Sequence, residues 1–297
     1  MSEQDTLAGQ FEENRSHLRA VAYRMLGSLS DADDAVQQAW LRLSRADTND
    51  VENLGGWLTT VVARVSLDML RSRRTRHEES LDLDPHVPDP IVSREDGIDP
   101  EQEVLLADSV GLALLVVLEM LDPAERLAFV LHDMFAVPFD EIASIVGRSP
   151  AAARQLASRA RRRVQGADAV PDRDMSRQRE VVNAFFAAAR DGDFEALVAV
   201  LDPDVVLRSD AGAGRPAASV VLQGAAAVAG QALMFSSPTR IVRPALVNGA
   251  AGVVITANGH PVSVMGFTVA HGKVVSIDVL ADPDRLNQLD LAFLSQG

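Results

Sequence analysis

The chain has 297 residues, 47% of them hydrophobic and 24% charged, which excludes a disordered protein and allows two or three domains with separate cores. It has no cysteine, which excludes disulfides and thiolate metal sites, and no apolar run long enough to span a membrane. The first residues are acidic and lack the pattern of a secretory signal, so we expect a cytoplasmic protein without membrane association.

The charge of the chain is unevenly distributed. A net charge of −14 argues against nucleic-acid binding at first sight. Residues 81–145, however, contain fifteen Asp and Glu against two Arg, a net of −13, which leaves −1 for all other residues. Arginines cluster at 71–76 and at 154–163, on either side of this acidic segment. The distribution therefore keeps DNA binding open.

The first two thirds of the chain are predicted to be helical. Apolar residues recur with helical spacing over 11–79, and again over 101–164, where Asp122 is a candidate N-cap and Pro123 a first-turn proline. Between them, the segment 81–101 is acidic and dense in proline, which disfavours helix. We predict two all-α units joined by a linker.

The segment 138–163 has the layout of a helix-turn-helix. A short apolar helix is followed by Gly147, by Ser149 as an N-cap and by Pro150, which fits the first helical position. The second helix divides into an apolar and a polar face, and the polar face is predicted to read bases and hold phosphates in the major groove. Its residues are Ser149, Ala151, Arg154, Gln155, Ser158, Arg159 and Arg162. The alternative is an ordinary amphipathic helix with a solvated arginine face.

Residues 176–297 have a different pattern, with two helices followed by strands. Segments rich in β-branched residues are separated by Asn248-Gly249, Asn258-Gly259 and His271-Gly272, which tolerate positive φ. The strands are predicted at 205–207, 241–247, 253–257, 262–269 and 274–280. This pattern predicts an α+β domain in which helices pack on a curved, largely antiparallel sheet.

Two motifs in the first helical unit resemble the extracytoplasmic-function sigma factors. Residues 30–43, Ser-Asp-Ala-Asp-Asp-Ala-Val-Gln-Gln-Ala-Trp-Leu-Arg-Leu, look like sigma region 2.2, which in the family binds the β′ coiled coil of RNA polymerase. The resemblance implies that Asp33, Asp34 and Gln37 bind polymerase. Residues 57–71 resemble regions 2.3 and 2.4, which melt and read the minus-ten promoter element. The implied DNA contacts are Arg64, where many relatives have Asn, together with Arg71, Arg73 and Arg74.

Trp57 opens this second motif. Apolar Leu58, Val61, Val62 and Val65 surround its helical face. We therefore predict that Trp57 is a core residue and does not stack on a base.

The helix-turn-helix resembles region 4.2, which reads the minus-thirty-five element. Regions 2 and 4 occur in the family's order, and in sigma factors the acidic linker runs through the basic RNA-exit path of polymerase. The resemblance implies core RNA polymerase, through its β′ and β subunits, and promoter DNA as partners. The predicted boundaries are 8–80 for region 2, 81–101 for the linker, 102–166 for region 4, 167–175 for a second linker and 176–297 for the last domain.

The last domain resembles the SnoaL-like branch of the NTF2-like fold, a cone of curved sheet around a pocket. Stretches at 86–90, 210–215 and 282–286 resemble the SigJ-like subgroup, which bears this extension. The resemblance implies a built-in regulator in place of a separate anti-sigma protein, in which the two later stretches contact the linker and hold regions 2 and 4 in a set arrangement. The implied regulatory residues are Pro88, Asp89, Pro90, Asp210, Arg215, Asp282, Pro283, Asp284 and Arg285.

A catalytic role for the last domain is not expected. Related SnoaL enzymes use an Asp and a His as acid and base on a polyketide, and the candidates here are Asp204, Asp210, His260 and His271. Both histidines lie in predicted turns, which favours surface positions. The sequence also has no phosphate loop, Ser-His-Asp order or metal-ligand cluster, so we expect no cofactor and no metal. Whether the pocket binds a small-molecule ligand stays open.

The sequence thus predicts a sigma factor with two all-α sigma domains and a C-terminal α+β regulator. Two rival functions remain. One is a polymerase-independent transcription regulator that senses a ligand, which would bind promoters without core enzyme. The other is a SnoaL-like enzyme fused to a DNA-binding module, whose turnover would be lost on substitution of Asp210 and His260.

Overall fold

A computed structural model describes residues 3–46, 51–79, 86–94, 111–167, 171–212, 214–215 and 218–296. The chain divides into two compact units. The N-terminal unit comprises Met1–Asp82, Pro100–Asp108 and Val117–Ala167, and the C-terminal unit comprises Leu83–Asp99, Ser109–Val116 and Asp168–Gly297. No helix within the described ranges is long and apolar enough to cross a membrane. The helix predicted to begin at 101 lies outside those ranges until residue 111.

The N-terminal unit is helical, as predicted. Its elements, with α4 divided between the units after Val116, are α1 (Glu3–Leu26), α2 (Leu29–Leu43), α3 (Leu54–Glu79), α4 (Leu112–Glu119), α5 (Pro123–Phe129), a π-helix (Val130–Met134), α6 (Phe139–Val146) and α7 (Pro150–Ala167). Helices α1, α2 and α3 pack against one another, and α5 packs on α7. Their fully buried side chains include Phe11, Leu18, Tyr23, Leu26, Leu43, Leu58, Leu67 and Leu127.

Local sequence signals set the ends of these helices. Asp122 accepts a hydrogen bond from the Ala124 N–H at 3.3 Å, and Pro123 occupies the first turn of α5. Between α6 and α7, Gly147 adopts φ +68°, a left-handed conformation that glycine reaches without strain. Ser149 then caps α7 by accepting from the Ala152 N–H at 3.3 Å. The predicted helix-turn-helix is confirmed.

The C-terminal unit is a mixed α+β structure. Its elements are β1 (Val92–Ser93), α8 (Met175–Asp191), α9 (Phe194–Val200), β2 (Leu201–Asp210), β3 (Val220–Gln223), α10 (Ala225–Phe235), β4 (Arg240–Val247), β5 (Ala250–Ala257), β6 (His260–Ala270), β7 (Lys273–Leu280), α11 (Pro283–Leu286) and a 3-10 helix (Ala292–Gln296). The strand order is β1-β4-β5-β6-β7-β2-β3. All neighbours are antiparallel except β2 and β7, which are parallel.

The five predicted strands are all present, and the three predicted turns connect β4 to β7 as tight hairpins. Asn248 and Gly249, for example, have φ of +49° and +76°, which suits a two-residue hairpin loop. The sequence did not predict β1, β3 or α10. It had assigned residues 92 and 93, which form β1, to the linker.

The core of the C-terminal unit lies between α8, α9, α10 and the sheet. Three phenylalanines form its aromatic cluster, with ring centroids of Phe185, Phe186 and Phe267 between 5.3 and 5.8 Å apart. Aliphatic side chains such as Val182, Leu197 and Ile277 surround them. These residues fill the space between the helices and the sheet with apolar groups.

Candidate functional site

The polar face of α2 carries the residues that the sequence assigned to polymerase binding. Asp34 and Gln37 are exposed, whereas Ala35 and Val36 between them are buried. Asp33 is also exposed, but it forms an ion pair with Arg19 at 2.6 Å. The face that presents Asp34 and Gln37 is therefore accessible, and Asp33 supports the packing of α1 on α2.

The same face extends further than the sequence indicated. Gln38, Leu41 and Arg42 line a shallow depression of about 390 Å³ at the end of α2. Leu41 is 45% exposed, which is high for a large apolar side chain in a helix whose other face is buried. The i, i+4 spacing of Gln37 and Leu41 along one helix face could have indicated this extension.

The four arginines of α3 that were predicted to bind DNA have different surroundings. Arg64 and Arg71 are exposed, and Arg71 lies 3.9 Å from Asp68. Arg73 is half-buried, forms an ion pair with Asp31 and donates to the Leu26 carbonyl at 3.1 Å. These contacts give Arg73 a structural role between α3 and the first two helices.

Arg74, the fourth of these arginines, contacts the start of α5. Its Nη1 donates to Asp122 Oδ2 at 2.6 Å, and Asp122 is also the N-cap of α5. The guanidinium that was predicted to bind a phosphate thus forms an ion pair with an aspartate. Asp122 therefore competes with a DNA phosphate for Arg74.

Trp57 is half-buried, so its assignment to the core is only partly right. Leu58, Val61, Val62 and Val65 are all buried. At 100° per residue these four centre about 90° away from Trp57 around α3, which places the indole at the margin of the buried stripe. Its exposed part makes it available to a partner.

The helix-turn-helix presents its predicted reading face to solvent. All seven residues assigned to that face, from Ser149 to Arg162, are exposed, whereas Ala153, Leu156, Ala157 and Ala160 are buried. The guanidinium of Arg154 lies 5.5 Å from the ring centroid of Phe139 on α6. This cation–π contact orients Arg154 near the start of α7.

Three arginines of α7, including Arg159 of the predicted reading face, lie near acids of the N-terminal unit. Arg163 donates to the buried Glu125 at 2.8 Å, and Arg159 lies 4.0 Å from the same carboxylate. Arg161 pairs with Asp133 of the π-helix. The basic cluster at 154–163 therefore combines exposed arginines with arginines that hold α7 to its neighbours.

A buried contact also joins α5 to α1. Arg126 is 3% exposed, and its Nε and Nη2 both donate to the Arg24 carbonyl at 3.3 Å. Burial lowers the pKa of Arg126 to about 10, so the guanidinium stays charged at neutral pH.

Phe135, after the π-helix, packs against two side chains of α1. Its ring contacts His17 edge-on, with the ring centroids 5.2 Å apart, and the Arg24 guanidinium lies 4.6 Å from the ring centroid. Burial, then the charge of Arg24, lowers the pKa of His17.

In the C-terminal unit, Arg285 connects three segments that are far apart in sequence. Its Nε donates to Asp89 Oδ1 at 2.7 Å, its Nη1 to Asp210 Oδ2 at 2.7 Å and its Nη2 to the Val87 carbonyl at 2.6 Å. Asp210 also accepts from the Val87 N–H at 3.0 Å. We call Asp89, Asp210 and Arg285 the arginine clamp. It holds residues 86–90 against the C-terminal unit, to which 83–99 belong.

The charge state of Asp210 reflects these contacts. Burial by itself would raise the pKa of this carboxyl, but hydrogen bonds from His86, Val87 and Gly212 and the charge of Arg285 outweigh burial and lower it to about 2. His86 Nδ1 lies 3.3 Å from Asp210 Oδ2. Asp210 is therefore a carboxylate at neutral pH and a strong acceptor for the linker backbone.

A second contact holds the other end of the linker segment, and the sequence gave no indication of it. Asn248 Oδ1 accepts from the Ile91 N–H at 3.1 Å, and the Asn248 N–H donates to the Ile91 carbonyl at 2.8 Å. β1 then pairs with β4 through Val92 opposite Val247 and Ser93 opposite Leu246. Residues 87–93 are all buried. This part of the predicted linker is thus a docked segment that ends in the two-residue strand β1.

The remaining predicted regulatory residues have separate positions. Pro88 and Pro90 are buried beside Asp89. Asp282 caps α11 by accepting from the Asp284 N–H at 2.9 Å, with Pro283 in the first turn, and this short helix carries Arg285. Asp284 and Arg215 are exposed. Asp282 and Pro283 thus position Arg285, whereas Arg215 lies at the surface.

Gly212 is a position in the stretch after Asp210 where a side chain would not fit. Gly212 has φ +79°, and a Cβ there would lie 2.2 Å from Asp282 Oδ2. Its N–H donates to Asp210 Oδ1 at 3.0 Å. Glycine at this position therefore allows the backbone to pass close to both Asp210 and Asp282.

The four candidate catalytic residues do not form an acid–base pair in the interior. His260 at the start of β6 and Asp204 near the start of β2 lie at opposite ends of the sheet. The end of β2 and the first half of β6 both lie beside Leu280 at the end of β7, because β2 runs parallel and β6 antiparallel to β7. His271 lies near the Asp204 end, but both side chains are exposed. Asp210 belongs to the arginine clamp. Among the residues that the structure describes, no group of three His, Asp or Glu could hold a metal ion.

Comparison with known proteins assigns the two helical regions. Residues 10–76 match the Sigma-70 region 2 family, and residues 111–164 match the Sigma-70, region 4 family. The chain is similar to the probable ECF RNA polymerase sigma factor SigI of Mycobacterium tuberculosis, with 36% identity over 291 residues, 97% of this chain and 98% of SigI. The chain belongs to the extracytoplasmic-function (ECF) sigma factors.

Like other ECF sigma factors, it acts in RNA-polymerase-directed transcription initiation, with core polymerase and promoter DNA as partners. It is also 39% identical over 294 residues to the ECF sigma factor SigJ of Mycobacterium tuberculosis, covering 93% of this chain and 92% of SigJ. The crystal structure of SigJ covers 96% of this chain with a TM-score of 0.75 and 36% identity. The fold is therefore two helical sigma domains followed by a mixed-sheet α+β domain, as predicted. These relatives are sigma factors, which are not enzymes.

Proposed function

We propose that the C-terminal unit is a built-in regulator of this ECF sigma factor and acts by docking the linker between regions 2 and 4. The observation that carries the proposal is the arginine clamp, in which one guanidinium binds Asp89 and the Val87 carbonyl of the linker together with Asp210 of the regulator. A separate anti-sigma protein is not needed for such control. We place the protein in the cytoplasm, where core polymerase acts.

The proposed promoter and polymerase contacts follow the exposed faces. Asp34 and Gln37 bind the β′ subunit, and region 4 contacts the β subunit. Arg64 and Arg71 contact the minus-ten element, and Arg74 joins them when Asp122 releases it. The exposed face of α7, from Ser149 to Arg162, reads the minus-thirty-five element. Arg73 supports the fold of region 2 in this proposal, because its guanidinium is bound to Asp31 and Leu26.

Linker docking can control initiation through the reach of the chain. The two promoter elements lie about 25 base pairs apart, or roughly 85 Å along B-form DNA at about 3.4 Å per base pair. Eight extended residues span at most about 28 Å, so residues 86–93 would add considerable reach if they were free. While they are fixed to the C-terminal unit, regions 2 and 4 cannot use that length. Docking therefore favours a set arrangement of the two regions over the separated one.

A catalytic role is not part of the proposal. Asp204, His260 and His271 are exposed, and the space between helices and sheet holds the phenylalanine cluster. These positions support a domain that acts by binding other segments. The sequence similarity to sigma factors along nearly the whole chain likewise favours this function over the two rivals, a polymerase-independent regulator and a fused enzyme.

Transcription with purified core polymerase tests the proposal. We compare the full chain, a chain that ends at Gly166, and the full chain with Arg285→Gln. The matched control is Arg190→Gln, because Arg190 is 77% exposed and belongs to the same unit. We expect both test variants to differ from the full chain in promoter output and the control to match it. Equal polymerase affinity and equal promoter output for all four proteins would reject the regulatory role.

A further inference from the structure

The docked linker has the contacts of a peptide ligand. The rest of the C-terminal unit binds both the N–H and the C=O of two linker residues. Asp210 accepts from the Val87 N–H and Arg285 donates to the Val87 carbonyl. Asn248 accepts from the Ile91 N–H and donates to the Ile91 carbonyl. A two-residue strand pairing with β4 follows. Proteins that bind an extended peptide as an added strand use the same kinds of contact: hydrogen bonds to the peptide backbone give affinity, and pockets for its side chains give specificity.

Side-chain recognition is confined to a short pattern. The linker carboxylate of Asp89 is bound by the Arg285 guanidinium and stands between two buried prolines, while His86 Nδ1, at the start of the segment, lies 3.3 Å from Asp210 Oδ2. Val87, Ile91 and Val92 are at most 4% exposed. Prolines restrict the unbound peptide to extended conformations, so less conformational freedom is lost on binding. The pattern is apolar-Pro-Asp-Pro-apolar-apolar.

One buried atom indicates that the linker is not the best ligand for this groove. Ser93 Oγ is buried and has no hydrogen-bond partner. Burying an unpaired hydroxyl disfavours docking, and an apolar side chain of similar size would avoid that loss. A segment with Ala at this position lacks the unpaired hydroxyl and adds no volume, so it is expected to fit the end of the groove better than the native linker does.

We propose that the groove formed by Asn248, Asp210, Arg285 and the edge of β4 is a peptide-binding site, and that an extended segment of this pattern from another protein displaces the linker from it. The consequence for transcription rests on the proposed regulatory function. Displacement releases residues 86–93 without any change in the rest of the C-terminal unit. The partner that the groove fits is thus an extended peptide with one carboxylate between two prolines, followed by β-branched residues.

The test uses a fluorescent synthetic peptide with the sequence of residues 86–94 and measures its binding to the full chain by anisotropy. In the wild-type chain the tethered linker competes at an effective concentration in the millimolar range, so peptide binding is weak. Asp89→Ala in the chain weakens the tethered competitor and is expected to tighten peptide binding at least about tenfold. Adding Arg285→Gln to Asp89→Ala removes the groove's guanidinium and is expected to abolish the gain.

A second experiment compares two peptides on the wild-type chain and so does not depend on a variant with a weakened linker contact. A peptide in which Ala replaces the residue equivalent to Ser93 is expected to bind the wild-type chain more tightly than the native peptide. Ser93→Ala within the chain is expected to weaken the binding of both peptides, because it strengthens the tethered competitor. The inference is overturned if folded Asp89→Ala protein shows no saturable binding, if Arg285→Gln leaves its binding unchanged, or if the two peptides bind wild-type chain equally. These outcomes are separate from promoter output, so the regulatory proposal and the peptide site can fail independently.

Discussion

Arg285 and Asp89 lie 196 residues apart in the chain, yet their side chains are joined by a hydrogen-bonded ion pair at 2.7 Å. Their side chains are only 18% and 8% exposed. A pair this buried is costly to break from one side, because the remaining charge keeps its desolvation penalty. This relationship makes the position of the linker dependent on α11, the short helix that carries Arg285.

The side chain of Asn248 is expected to contribute to linker docking through its bond to the Ile91 N–H, apart from its role in the hairpin turn. In Asn248→Ala the buried Ile91 N–H loses its acceptor, which costs roughly 1–3 kcal/mol. Asn258→Ala is the matched control, because Asn258 has φ +52°, close to the +49° of Asn248, in an equivalent hairpin turn and is exposed. We expect hydrogen exchange of the Ile91 amide to accelerate at least about tenfold in the first variant only. Equal acceleration in both variants would show that turn strain, and not the side-chain bond, was responsible.

Gly212 is expected to be intolerant of a methyl group. Gly212→Ala introduces a left-handed alanine, which costs roughly 1–2 kcal/mol, and also places Cβ against Asp282. Gly249→Ala controls for the backbone term, since Gly249 has φ +76° and open space around it. Scanning calorimetry should show a clearly larger fall in the unfolding temperature for Gly212→Ala. A fall no larger than that of the control contradicts the close approach of this loop to α11.

The contribution of Asp210 to linker docking is expected to persist to low pH. The pKa of Asp210 is lowered to about 2, so the stabilisation that its carboxylate gives is complete above the unfolded value of about 4 and is lost as the pH falls toward 2. NMR of the Val87 amide, which donates to this carboxylate, can follow the transition. In Asp210→Asn the Val87 shift should not titrate in that window. A midpoint near pH 4 in the wild-type chain would mean that Arg285 and His86 do not stabilise the carboxylate.

Asp122 is expected to compete with DNA for Arg74. Asp122→Asn keeps a good N-cap for α5 but removes the charge opposite Arg74. Because the two side chains are about half exposed, the pair is worth at most about 1 kcal/mol, so non-specific DNA binding should tighten by up to about fivefold. Asp191→Asn, an exposed acid in the other unit, makes the same change in net charge. Anisotropy with a short duplex at low salt measures both, and equal affinities would count against this competition.

Local signals made much of the fold predictable. Gly147, Ser149 and Pro150 specify the helix-turn-helix, and the Asn-Gly turns specify the hairpins, because each depends on neighbouring residues alone. β1 was missed because a two-residue strand beside prolines has no periodicity to detect. Asn248 showed itself only as a turn residue, since its partner Ile91 is 157 positions away. Pairings of this kind are set by the tertiary fold and leave no spacing pattern in the sequence.

The candidate site shows the same division. The exposure of Asp34, Gln37 and the α7 face follows from helical spacing. Arg73 and Arg74, by contrast, form ion pairs with acids from other parts of the helical unit. The sequence does not reveal these partners, so it predicted the same DNA-binding role for all four arginines. The meeting of Asp89, Asp210 and Arg285 was expected from resemblance, but the hydrogen-bond geometry came only from the fold.

The central claim is that Arg285 controls initiation through Asp89 of the linker, and a double-mutant cycle in transcription tests it most directly. Promoter output with core polymerase is measured for the wild-type chain, Asp89→Ala, Arg285→Gln and the double variant. Because undocking restores reach to the linker, we expect both single variants to raise output and the double variant to match Arg285→Gln, without adding the two effects. Additive effects, or output unchanged from wild type in both single variants, would contradict the account.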